Sequence, residues 1–469
     1  MRIALINPPV LSSERIAPVI RTLFYNSPPL GIGYLGAFLE ANGHQVRLMD
    51  AAVECLSYSA VVRRLREFEP ELVGVTSTTV SIASATGLAA VLQRALQVPI
   101  VIGGPHVTAN PQETLAASAF DYGVIGEGEN TLLELLDVVQ GKRTPASVLG
   151  LAYRQNGQVV VNPRRPYIED LDTIPHPIRR DFPLQKYQPQ PNDEYRLPKT
   201  SMITSRGCPY SCIFCDKAVF GKIYRYHSAK YVADEIEDLV HTYGIRDIAF
   251  VDSTFFPNRE KICQLIEELK SRKVHFSWTC SVRANIMTRD LLRAMKDAGC
   301  WRVRFGIESG NDEVLKHLRK GINKDQVRRA VGWADELGLQ PKGFFMVGHL
   351  FDTPETIQES IDFALGLPLK DITVQINTPM KGTEQHDLAP EYGKMIARDS
   401  SELSFWQPAF LPKGFTEAEL LRWRNRFYRS FYCRPITLYR HLQYISRPRD
   451  LRKYLRALGL IAHLFFGKQ

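Results

Sequence analysis

Three cysteines that lie close together are the residues of this sequence best suited to chemistry. Cys208, Cys212 and Cys215 occur in the run Arg-Gly-Cys-Pro-Tyr-Ser-Cys-Ile-Phe-Cys, and no fourth cysteine is near them in the sequence. A [4Fe–4S] cluster is normally held by four thiolates. Three ligands at this spacing therefore predict a cluster with one iron left open to a small chelating molecule.

Two simpler explanations of these cysteines fit less well. A structural zinc ion takes four ligands, usually as two separated pairs, whereas the other five cysteines are scattered singly. Disulfides belong to oxidising compartments, and the opening run Met-Arg-Ile-Ala-Leu-Ile reads as the start of a strand and not as a cleavable signal peptide. We therefore expect reduced thiols and a cytoplasmic protein.

The cysteine run resembles the signature of the radical S-adenosylmethionine (SAM) superfamily. The resemblance implies that the methionyl amine and carboxylate of SAM chelate the open iron. It further implies that one electron from the cluster cleaves SAM to a 5′-deoxyadenosyl radical, and that an external donor of the flavodoxin or ferredoxin type supplies this electron.

The chain after the cysteines predicts a barrel that would hold such a cluster. Six apolar stretches alternate with helical ones, and we read them as strands at residues 201–205, 247–251, 276–280, 303–307, 343–347 and 372–376. Six such units form a partial, TIM-like (β/α)6 barrel, in which chemistry lies at the carboxyl ends of the strands. The cysteine loop follows the first strand and so lies at that end.

Polar residues at other strand ends are candidates for SAM binding. Glu308 suits the ribose hydroxyls, Arg283 suits the methionyl carboxylate, and the backbone of Phe214 suits the adenine. The resemblance implies the same roles, because the family carries its ribose-binding glutamate in Gly-Ile-Glu-Ser-Gly. Asp252 is a further candidate, with a helix N-cap as the alternative since Asp-Ser-Thr precedes a helical run. No catalytic residue is assigned.

The first 145 residues alternate short strands and helices, which predicts a doubly wound, Rossmann-like parallel sheet. Ligands of such sheets lie outside the carboxyl ends of the strands. The loops there include Gly-Gly-Pro-His at 103–106 and Gly-Glu-Gly-Glu at 126–129. Together with Pro-Pro-Leu-Gly-Ile-Gly-Tyr-Leu-Gly at 28–36, they resemble the cobalamin-binding domain of one large radical SAM class. That resemblance implies a corrin or nucleotide tail near Ser77, Thr78, Gly103, Gly104 and Gly128.

The ligation of cobalt is a separate question from corrinoid binding. The loop at residues 7–21 lacks the Asp-x-His-x-x-Gly signature with which methionine-synthase-like domains ligate cobalt, so we expect no histidine ligand. His106 is the nearby imidazole, and a loop histidine hydrogen-bonded to backbone is favoured over a cobalt ligand. A sheet domain that binds no corrinoid is the alternative.

Length and composition organise the rest of the chain. The 469 residues, 44% of them hydrophobic, predict two or three folded domains. We assign residues 1–145 to the cobalamin-binding domain, 146–198 to a proline-rich linker, 199–385 to the radical SAM core and 386–469 to a mainly helical C-terminal region. No apolar run reaches the ~18 residues of a membrane span. The net charge of +9 is concentrated near the C-terminus, and we expect no nucleic-acid partner.

Aromatic residues alternate with arginines in the C-terminal region. The aromatic residues of this pattern are Trp406, Trp423, Phe427, Tyr428, Phe431, Tyr432, Tyr439 and Tyr444. It predicts a helix that packs its aromatic side chains inward. A peripheral membrane contact is the alternative.

These features favour a cobalamin-dependent radical SAM C-methyltransferase. It would act on an unactivated carbon of a small substrate, hydrophobic or anionic, and consume two SAM for each methyl group transferred. The first alternative is a radical SAM oxidative cyclase of the anaerobic magnesium-protoporphyrin ester cyclase type. The second is a noncatalytic corrinoid or iron–sulfur binding protein.

Overall fold

The computed structural model describes residues 1–9, 27–116, 118–189, 193, 195–255, 258–397, 402–403 and 406–437. Two large sheets with helices packed on them make up most of this part of the chain. In the part of the chain so described, no helix is both long enough and apolar enough to cross a membrane.

The first sheet has seven strands in the order β2-β1-β3-β4-β5-β6-β7. Its strands are β1 (Arg2–Asn7), β2 (Gln45–Asp50), β3 (Leu72–Thr76), β4 (Ile100–Gly103), β5 (Tyr122–Val124), β6 (Leu151–Gln155) and β7 (Gln158–Val161). The helices are α1 (Leu30–Ala41), α2 (Tyr58–Phe68), α3 (Ile82–Ala95), α4 (Pro105–Ala109), α5 (Pro111–Ala116) and α6 (Glu129–Val139). The first five strands are parallel, and their order is that of a doubly wound sheet whose switch point lies between β1 and β3.

The last two strands of this sheet form an antiparallel hairpin beside β5. Strand β5 has three residues, and the hairpin covers the edge that it would otherwise expose. The hairpin lies within residues 146–198, the range that the sequence assigns to a linker. We therefore propose that the first domain extends to about Val161.

The second sheet is the half-barrel that the sequence predicts. The strands of this part of the chain are β8 (Lys199–Met202), β9 (Ser205–Arg206), β10 (Arg225–Tyr226), β11 (Asp247–Phe250), β12 (Ser277–Val282), β13 (Cys300–Glu308), β14 (Gln340–Val347) and β15 (Asp371–Ile376). Six of them pair in parallel in the order β15-β14-β13-β12-β11-β8, and β9 and β10 form a separate hairpin. The sheet is not closed, because β8 and β15 are its two edges.

Eight helices follow the strands of the half-barrel in the described residues. They are α7 (Ala229–His241), α8 (Arg259–Arg272), α9 (Arg289–Asp297), α10 (Asp312–His317), α11 (Lys324–Glu336), α12 (Pro354–Gly366), α13 (Glu384–Tyr392) and α14 (Glu417–Tyr432). Several begin at side chains that satisfy free backbone N–H groups, such as Asn323 with Gln326 at α11 and Thr353 with Thr356 at α12. A further hairpin consists of β16 (Gly393–Met395) and β17 (Phe410–Pro412).

The two faces of the half-barrel strands carry different kinds of side chains. On β13, Val303, Phe305 and Ile307 belong to the core between the sheet and its helices. The residues that alternate with them therefore face the interior of the barrel, and these include Arg304 and Glu308. The interior of the half-barrel thus carries charged side chains, whereas its outer face is apolar.

Helix α14 covers the open edge of the half-barrel at β15. Its Phe427 and Phe431 are fully buried, as the inward-packing interpretation predicts. Its Tyr428 hydroxyl accepts from Val374 N at 2.9 Å, and its Tyr432 hydroxyl donates to Ile372 O at 3.1 Å. These hydroxyls satisfy backbone groups of an edge strand. Tyr439 and Tyr444, part of the same aromatic pattern, lie outside the described residues.

Candidate active site

The cysteine loop follows β8 and β9 at the carboxyl end of the half-barrel. Gly207 begins it with a φ of +86°, and a Cβ at this position would lie 2.1 Å from the carbonyl oxygen of Ile223. Only glycine fits such a site. Cys208 N donates to Gly221 O at 3.2 Å, and Ile213 N donates to Leu318 O at 3.2 Å. The backbone therefore fixes the loop at Cys208 and next to Cys212.

The three thiols lie close enough together to interact electrostatically. Partial desolvation, with a further contribution from Cys208 and Cys212, raises the pKa of the Cys215 thiol to about 11. Each of the other five cysteines lies elsewhere, and Cys280 and Cys300 belong to the apolar core outside the barrel. The loop thus brings together the three thiols that the sequence proposes as cluster ligands.

A single metal ion and an iron–sulfur cluster need different arrangements of these thiols. Among the described residues, no three His, Cys, Asp or Glu side chains are arranged as ligands of one metal ion. A [4Fe–4S] cluster does not need that arrangement, because each thiolate binds a different iron.

Two cations lie beside the cysteine loop. The Arg283 guanidinium stacks 3.6 Å from the ring centroid of Tyr210, and its Nη1 donates to Cys212 Sγ at 3.8 Å. Its Nη2 donates to Lys320 O, while its buried Nε has no partner among the described residues. Lys320 Nζ lies 5.6 Å from the Phe214 ring. A guanidinium with a free donor beside thiolates fits an anionic cluster and a bound carboxylate.

Glu308 is held at this site by an unusual backbone conformation. Its φ is +68°, and the ladder between β13 and β14 shifts register between Gly306 and Glu308. Such irregularities re-aim side chains and cluster at functional sites. The carboxylate accepts from Lys320 Nζ at 2.7 Å, and a Cβ on Gly306 would lie 2.7 Å from Glu308 Oε1. Three of the four predicted SAM-binding residues, Phe214, Arg283 and Glu308, therefore lie around Lys320 and the cysteines.

Lys320 is a site residue that the sequence analysis missed. It lies in the loop between α10 and α11, and the short helix α10 separates this loop from the strand that ends at Glu308. No motif marks it, and only the fold brings it to Glu308. Arg283, Glu308 and Lys320 are all buried, so their charges act in a partly dehydrated setting.

Asp252 is not the helix N-cap that the sequence offers as the alternative to a SAM contact. The helix after it, α8, begins seven residues later with Asn258 as its N-cap, so Asp252 caps no helix. Its Oδ1 instead accepts from Thr204 N at 2.8 Å and Ser205 Oγ at 2.7 Å. Burial raises the pKa of this carboxyl to about 6, and its Oδ2 is buried without a partner among the described residues. Asp252 thus stabilises, through hydrogen bonds, the strand end that leads into the cysteine loop.

Two further polar side chains are buried behind the cysteine loop. His349 and Gln385 are fully buried, and no side-chain nitrogen or oxygen of either has a hydrogen-bond partner among the described residues. The His349 ring lies 6.4 Å from the Phe214 ring, and Gln385 N donates to Ile213 O at 3.0 Å. Incomplete hydrogen bonding at this loop fits a site that a cofactor completes.

A cavity of about 730 Å³ joins the cysteine loop to the first sheet. Cys208 and Cys215 line one side of it. Four of the five predicted cobalamin contacts line the other, namely Thr78, Gly103, Gly104 and Gly128. A Cβ on Gly103 would meet nothing within 4 Å, so the backbone is open to a ligand there. Ser77, the fifth, is fully buried, and its Oγ donates to Thr78 O at 2.9 Å.

His106 is not among the residues that line this cavity. It lies on α4, where its Nδ1 is 3.3 Å from Thr79 Oγ1, and burial lowers the pKa of its imidazole. The sequence analysis favours a hydrogen-bonded histidine at this position, and the structure has one, although its partner is a side chain.

The loop Gly-Glu-Gly-Glu at 126–129 contacts the core as well as the cavity. Arg206, two residues before Cys208, pairs with Glu127 at 3.0 Å and with Glu129 at 2.6 Å. Burial raises the pKa of the Glu129 carboxyl, but the charge and hydrogen bond of Arg206 outweigh it and hold that pKa below its ordinary value. These pairs join residues 77 and 79 positions apart, and no local pattern predicts them.

Comparison with known proteins identifies the class to which this fold and site belong. A family model described as "B12 binding domain" matches residues 16–136, and one described as "Radical SAM superfamily" matches residues 202–364. These findings confirm the prediction of a radical SAM enzyme with a cobalamin-binding domain. They also confirm its predicted cofactors, which are a [4Fe–4S] cluster, SAM and cobalamin.

Relatives with similar sequences cover nearly the whole chain. An uncharacterized methyltransferase of Pyrococcus horikoshii is 34% identical over 93% of this chain and 94% of its own length. The anaerobic magnesium-protoporphyrin IX monomethyl ester cyclase of Rubrivivax gelatinosus is 31% identical over 92% of this chain and 78% of its own. The chain therefore belongs to the family of cobalamin-binding radical SAM proteins that includes these two.

Solved structures share the fold at lower identity. The radical SAM methyltransferase TsrM from Kitasatospora setae covers 99% of this chain with a TM-score of 0.71 and 19% identity, and 98% of that chain is matched. The cobalamin-dependent radical SAM enzyme OxsB covers 99% of this chain with a TM-score of 0.74 and 17% identity, and 72% of that chain is matched. Both confirm the predicted order of sheet domain, half-barrel and helices.

Proposed function

We propose that this protein is a cobalamin-dependent radical SAM C-methyltransferase that acts on an unactivated carbon of a small molecule. One observation carries the proposal. Cys208 and Cys215 line the same cavity as Thr78, Gly103 and Gly104 of the first sheet. A SAM molecule at the cysteine loop and a corrinoid at the sheet would therefore face each other across one space.

The cofactors supply the reactive chemistry, and the chain supplies their positions. When bound, the cluster and SAM provide a carbon-centred radical, and the corrinoid provides a methyl group. In our proposal Cys208, Cys212 and Cys215 hold three irons of the cluster. Arg283, which is fixed by Tyr210 and by the carbonyl oxygen of Lys320, would bind the carboxylate of SAM.

The other SAM contacts follow from the same arrangement. Glu308 would accept hydrogen bonds from the ribose hydroxyls, with Lys320 holding its carboxylate in place. Phe214 would offer its backbone to the adenine while its ring packs beside Lys320. Asp252 would act indirectly, because its carboxylate binds the strand end before the cysteines and not the cavity.

The corrinoid would lie against the glycine-rich loops of the first sheet. Thr78, Gly103, Gly104 and Gly128 would contact the corrin or its tail. Ser77 would support them from beneath through its bond to Thr78 O. Because His106 does not line the cavity, we propose that no histidine of this loop ligates the cobalt.

The overall reaction balances with two SAM molecules and two electrons for each methyl group. One SAM yields methionine and 5′-deoxyadenosine, and the other yields S-adenosylhomocysteine. An external one-electron donor of the flavodoxin or ferredoxin class, acting in the cytoplasm, would supply the electrons. The methyltransferase names of several relatives, including a cytidylyl-2-hydroxyethylphosphonate methyltransferase of Streptomyces wedmorensis, support this reaction.

Product analysis tests the proposal. Anaerobically reconstituted protein is incubated with cobalamin, SAM and a strong reductant, and both nucleoside products are quantified. We expect deoxyadenosine and S-adenosylhomocysteine together. Cys212→Ser should abolish deoxyadenosine, whereas Cys263→Ser, on helix α8 away from the loop, should leave it unchanged. Absence of SAM cleavage by the loaded wild type would return the noncatalytic alternative.

The cyclase alternative is kept because of the relative from Rubrivivax gelatinosus, which is 31% identical. A cyclisation needs the radical but no methyl group. Deoxyadenosine without any S-adenosylhomocysteine, in protein that contains cobalamin, would therefore favour the cyclase over the methyltransferase.

A further inference from the structure

Four buried charged residues connect the two domains beside the cavity. Glu127 and Glu129 belong to the first sheet domain, and Arg206 and Arg225 belong to the hairpin next to the cysteines. Arg206 Nη1 lies 3.0 Å from Glu127 Oε1 and its Nη2 lies 2.6 Å from Glu129 Oε1, while Arg225 Nη1 lies 2.9 Å from Glu127 Oε1. We call these four residues the interdomain clamp.

The burial of the clamp shows what it contributes. All four side chains are 4–6% exposed, and two positive charges meet two negative ones. Burying such pairs costs desolvation energy that their attraction repays only in part, so they are weak evidence for stability. An arginine fork that donates to two carboxylates instead restricts distance and direction. The clamp is therefore suited to fixing geometry.

The clamp joins the two loops that would carry the cofactors. Arg206 is followed by Gly207 and Cys208, and the lack of room around Gly207 leaves this stretch little freedom. Glu127 and Glu129 flank Gly128, which lines the cavity together with Cys208. Arg206 lies two residues before Cys208, and its partners Glu127 and Glu129 are the neighbours of Gly128, a predicted corrin contact. Its ion pairs therefore connect the two loops.

We propose that Arg206 is a positioning residue that holds the cysteine loop and the corrin loop at the separation required for methyl transfer from SAM to the corrinoid. This proposal rests on the proposed function. In that step the sulfur of SAM keeps the electron pair of the broken bond, and the reduced corrinoid supplies the pair for the new one. Formation of S-adenosylhomocysteine thus needs both domains in register, whereas deoxyadenosine formation needs only the core.

The ratio of the two products reports on this role. We would compare Arg206→Met and Arg206→Lys with the wild type, as full-length protein loaded with cluster and cobalamin and supplied with SAM and titanium citrate. A displacement of ~1 Å between reacting groups can cost up to ~100-fold in rate. We therefore expect Arg206→Met to lower the ratio of S-adenosylhomocysteine to deoxyadenosine by about 10- to 100-fold. Arg206→Lys keeps the positive charge but not the two-pronged guanidinium, so its product ratio should lie between those of the wild type and Arg206→Met.

Two variants serve as matched controls. Arg179 forms an ion pair with Glu235 that is as buried as the clamp, but neither residue lines the cavity. Arg179→Met should reduce both products in proportion, as any merely destabilising change would. Lys381 pairs with Glu113 across the same two domains, but both side chains are about half exposed. Lys381→Gln should leave the ratio unchanged, because exposed pairs contribute little.

A spectroscopic measurement tests the clamp without any turnover. In the reduced holoprotein, the cluster and cob(II)alamin are both paramagnetic, and the coupling between their electron spins depends on their separation. We expect a defined coupling in the wild type that shifts or broadens in Arg206→Met while the spin count of each centre stays the same. Equal coupling and an equal product ratio in this variant would overturn the proposal.

The outcomes separate the two proposals. A wild type that forms no S-adenosylhomocysteine would contradict the proposed function, and the spin coupling would still decide on the clamp. If Arg206→Met does not fold or load its cofactors, Glu129→Gln decides by the same two criteria. That variant keeps the shape of the side chain and leaves the Arg206 pair with Glu127 in place.

Discussion

The two ends of the half-barrel both bury charged side chains, but they pair them differently. At the amino ends of the strands, three carboxylates meet four cations in what we call the floor: Asp193, Asp247, Asp371, Lys199, Arg302, Arg304 and Lys342. Asp371 lies 3.2 Å from Lys342 Nζ and 3.3 Å from Arg302 Nη1, and Lys199 Nζ lies 3.0 Å from Asp247. Each floor carboxylate thus lies within ion-pair distance of at least one cation.

The opposite end, which we call the mouth, consists of the cysteine loop with Arg283, Glu308, Lys320 and Asp252. Here Gly207, a positive φ at Glu308 and a register shift in the sheet shape the backbone around the cysteines. The Arg283 Nε and Asp252 Oδ2 atoms have no partner among the described residues. Buried charge alone therefore does not identify a site in this fold. The strained backbone at Glu308 and the three thiols distinguish the mouth from the floor, since Arg302 Nε and Arg304 Nε of the floor also lack hydrogen-bond partners among the described residues.

The largest effect on stability is expected from breaking the floor. Asp371→Asn leaves Lys342 and Arg302 with less negative charge around them, and removing one partner of a buried ion pair costs about 3–5 kcal/mol. Urea unfolding should report this loss, while deoxyadenosine formed per bound cluster stays as in the wild type. If the variant loses SAM cleavage and keeps its stability, the separation of floor and mouth is wrong.

Much of this division can be predicted from local sequence. Apolar runs indicate the six strands of the half-barrel. The cysteine run follows the strand predicted at residues 201–205, and Glu308 follows the one predicted at 303–307. Both therefore lie at the carboxyl ends of strands. The hairpin of β6 and β7 is not predicted, because a proline-rich stretch beyond it makes the whole range resemble a linker. The hairpin pairs with the edge of β5, a contact that the local sequence does not reveal.

The contacts that complete the site are long-range and carry no local pattern. Lys320 reaches Glu308 only because a short helix turns the chain back over the cysteine loop. Arg206 meets Glu127 across the domain boundary, whereas the glycines around Glu127 indicate only a corrin contact. The sequence around Asp252 allows a helix cap, but its carboxylate binds a neighbouring strand end. Sequence pattern therefore locates the mouth but not its pairings.

Opposite pH dependences should sharpen the comparison. Burial raises the pKa of Asp252 at the mouth to about 6 from its ordinary 3.8. At the floor, burial also acts to raise the pKa of Asp371, but Lys342 and Arg302 outweigh it and lower that pKa. A raised pKa favours the folded state when the group is protonated, so the Asp252 contribution is lost as pH rises from about 4 to 6. The Asp371 contribution is lost as pH falls below about 4.

Asp252→Asn isolates the mouth half of this prediction. Two pKa units correspond to about 3 kcal/mol. Because the unfolded carboxyl is already about half ionised at pH 4, the variant should be about 2 kcal/mol more stable at pH 7 than at pH 4, relative to the wild type. Urea midpoints measured across this range would check it. Parallel pH curves for the two proteins would show that Asp252 is ionised as readily in the folded chain as in the unfolded one.

Glu308→Gln tests whether the mouth binds SAM through this carboxylate. Hydrogen bonds to a charged group contribute about 1.5–3 kcal/mol, so we expect SAM affinity to fall by about 10- to 100-fold. The dissociation constant for SAM in cluster-loaded protein is the measurement. Glu313→Gln is the control, since this exposed glutamate on α10 pairs with the exposed Lys316. Unchanged affinity in Glu308→Gln would assign its pairing with Lys320 a structural role.

The smallest effect on stability is expected from the tyrosines of α14, the helix that covers the edge strand β15. The Tyr432 hydroxyl bonds Asp371 as well as the backbone of Ile372, whereas the Tyr428 hydroxyl bonds only the backbone of Val374 among these groups. Each Tyr→Phe substitution removes neutral hydrogen bonds worth about 1 kcal/mol. Tyr432→Phe should cost more than Tyr428→Phe, because it also takes a donor from a floor carboxylate. Urea unfolding of both variants measures the difference, and neither should change the ratio of SAM products. Equal losses would show that the floor network ends at Asp371 and does not extend to α14.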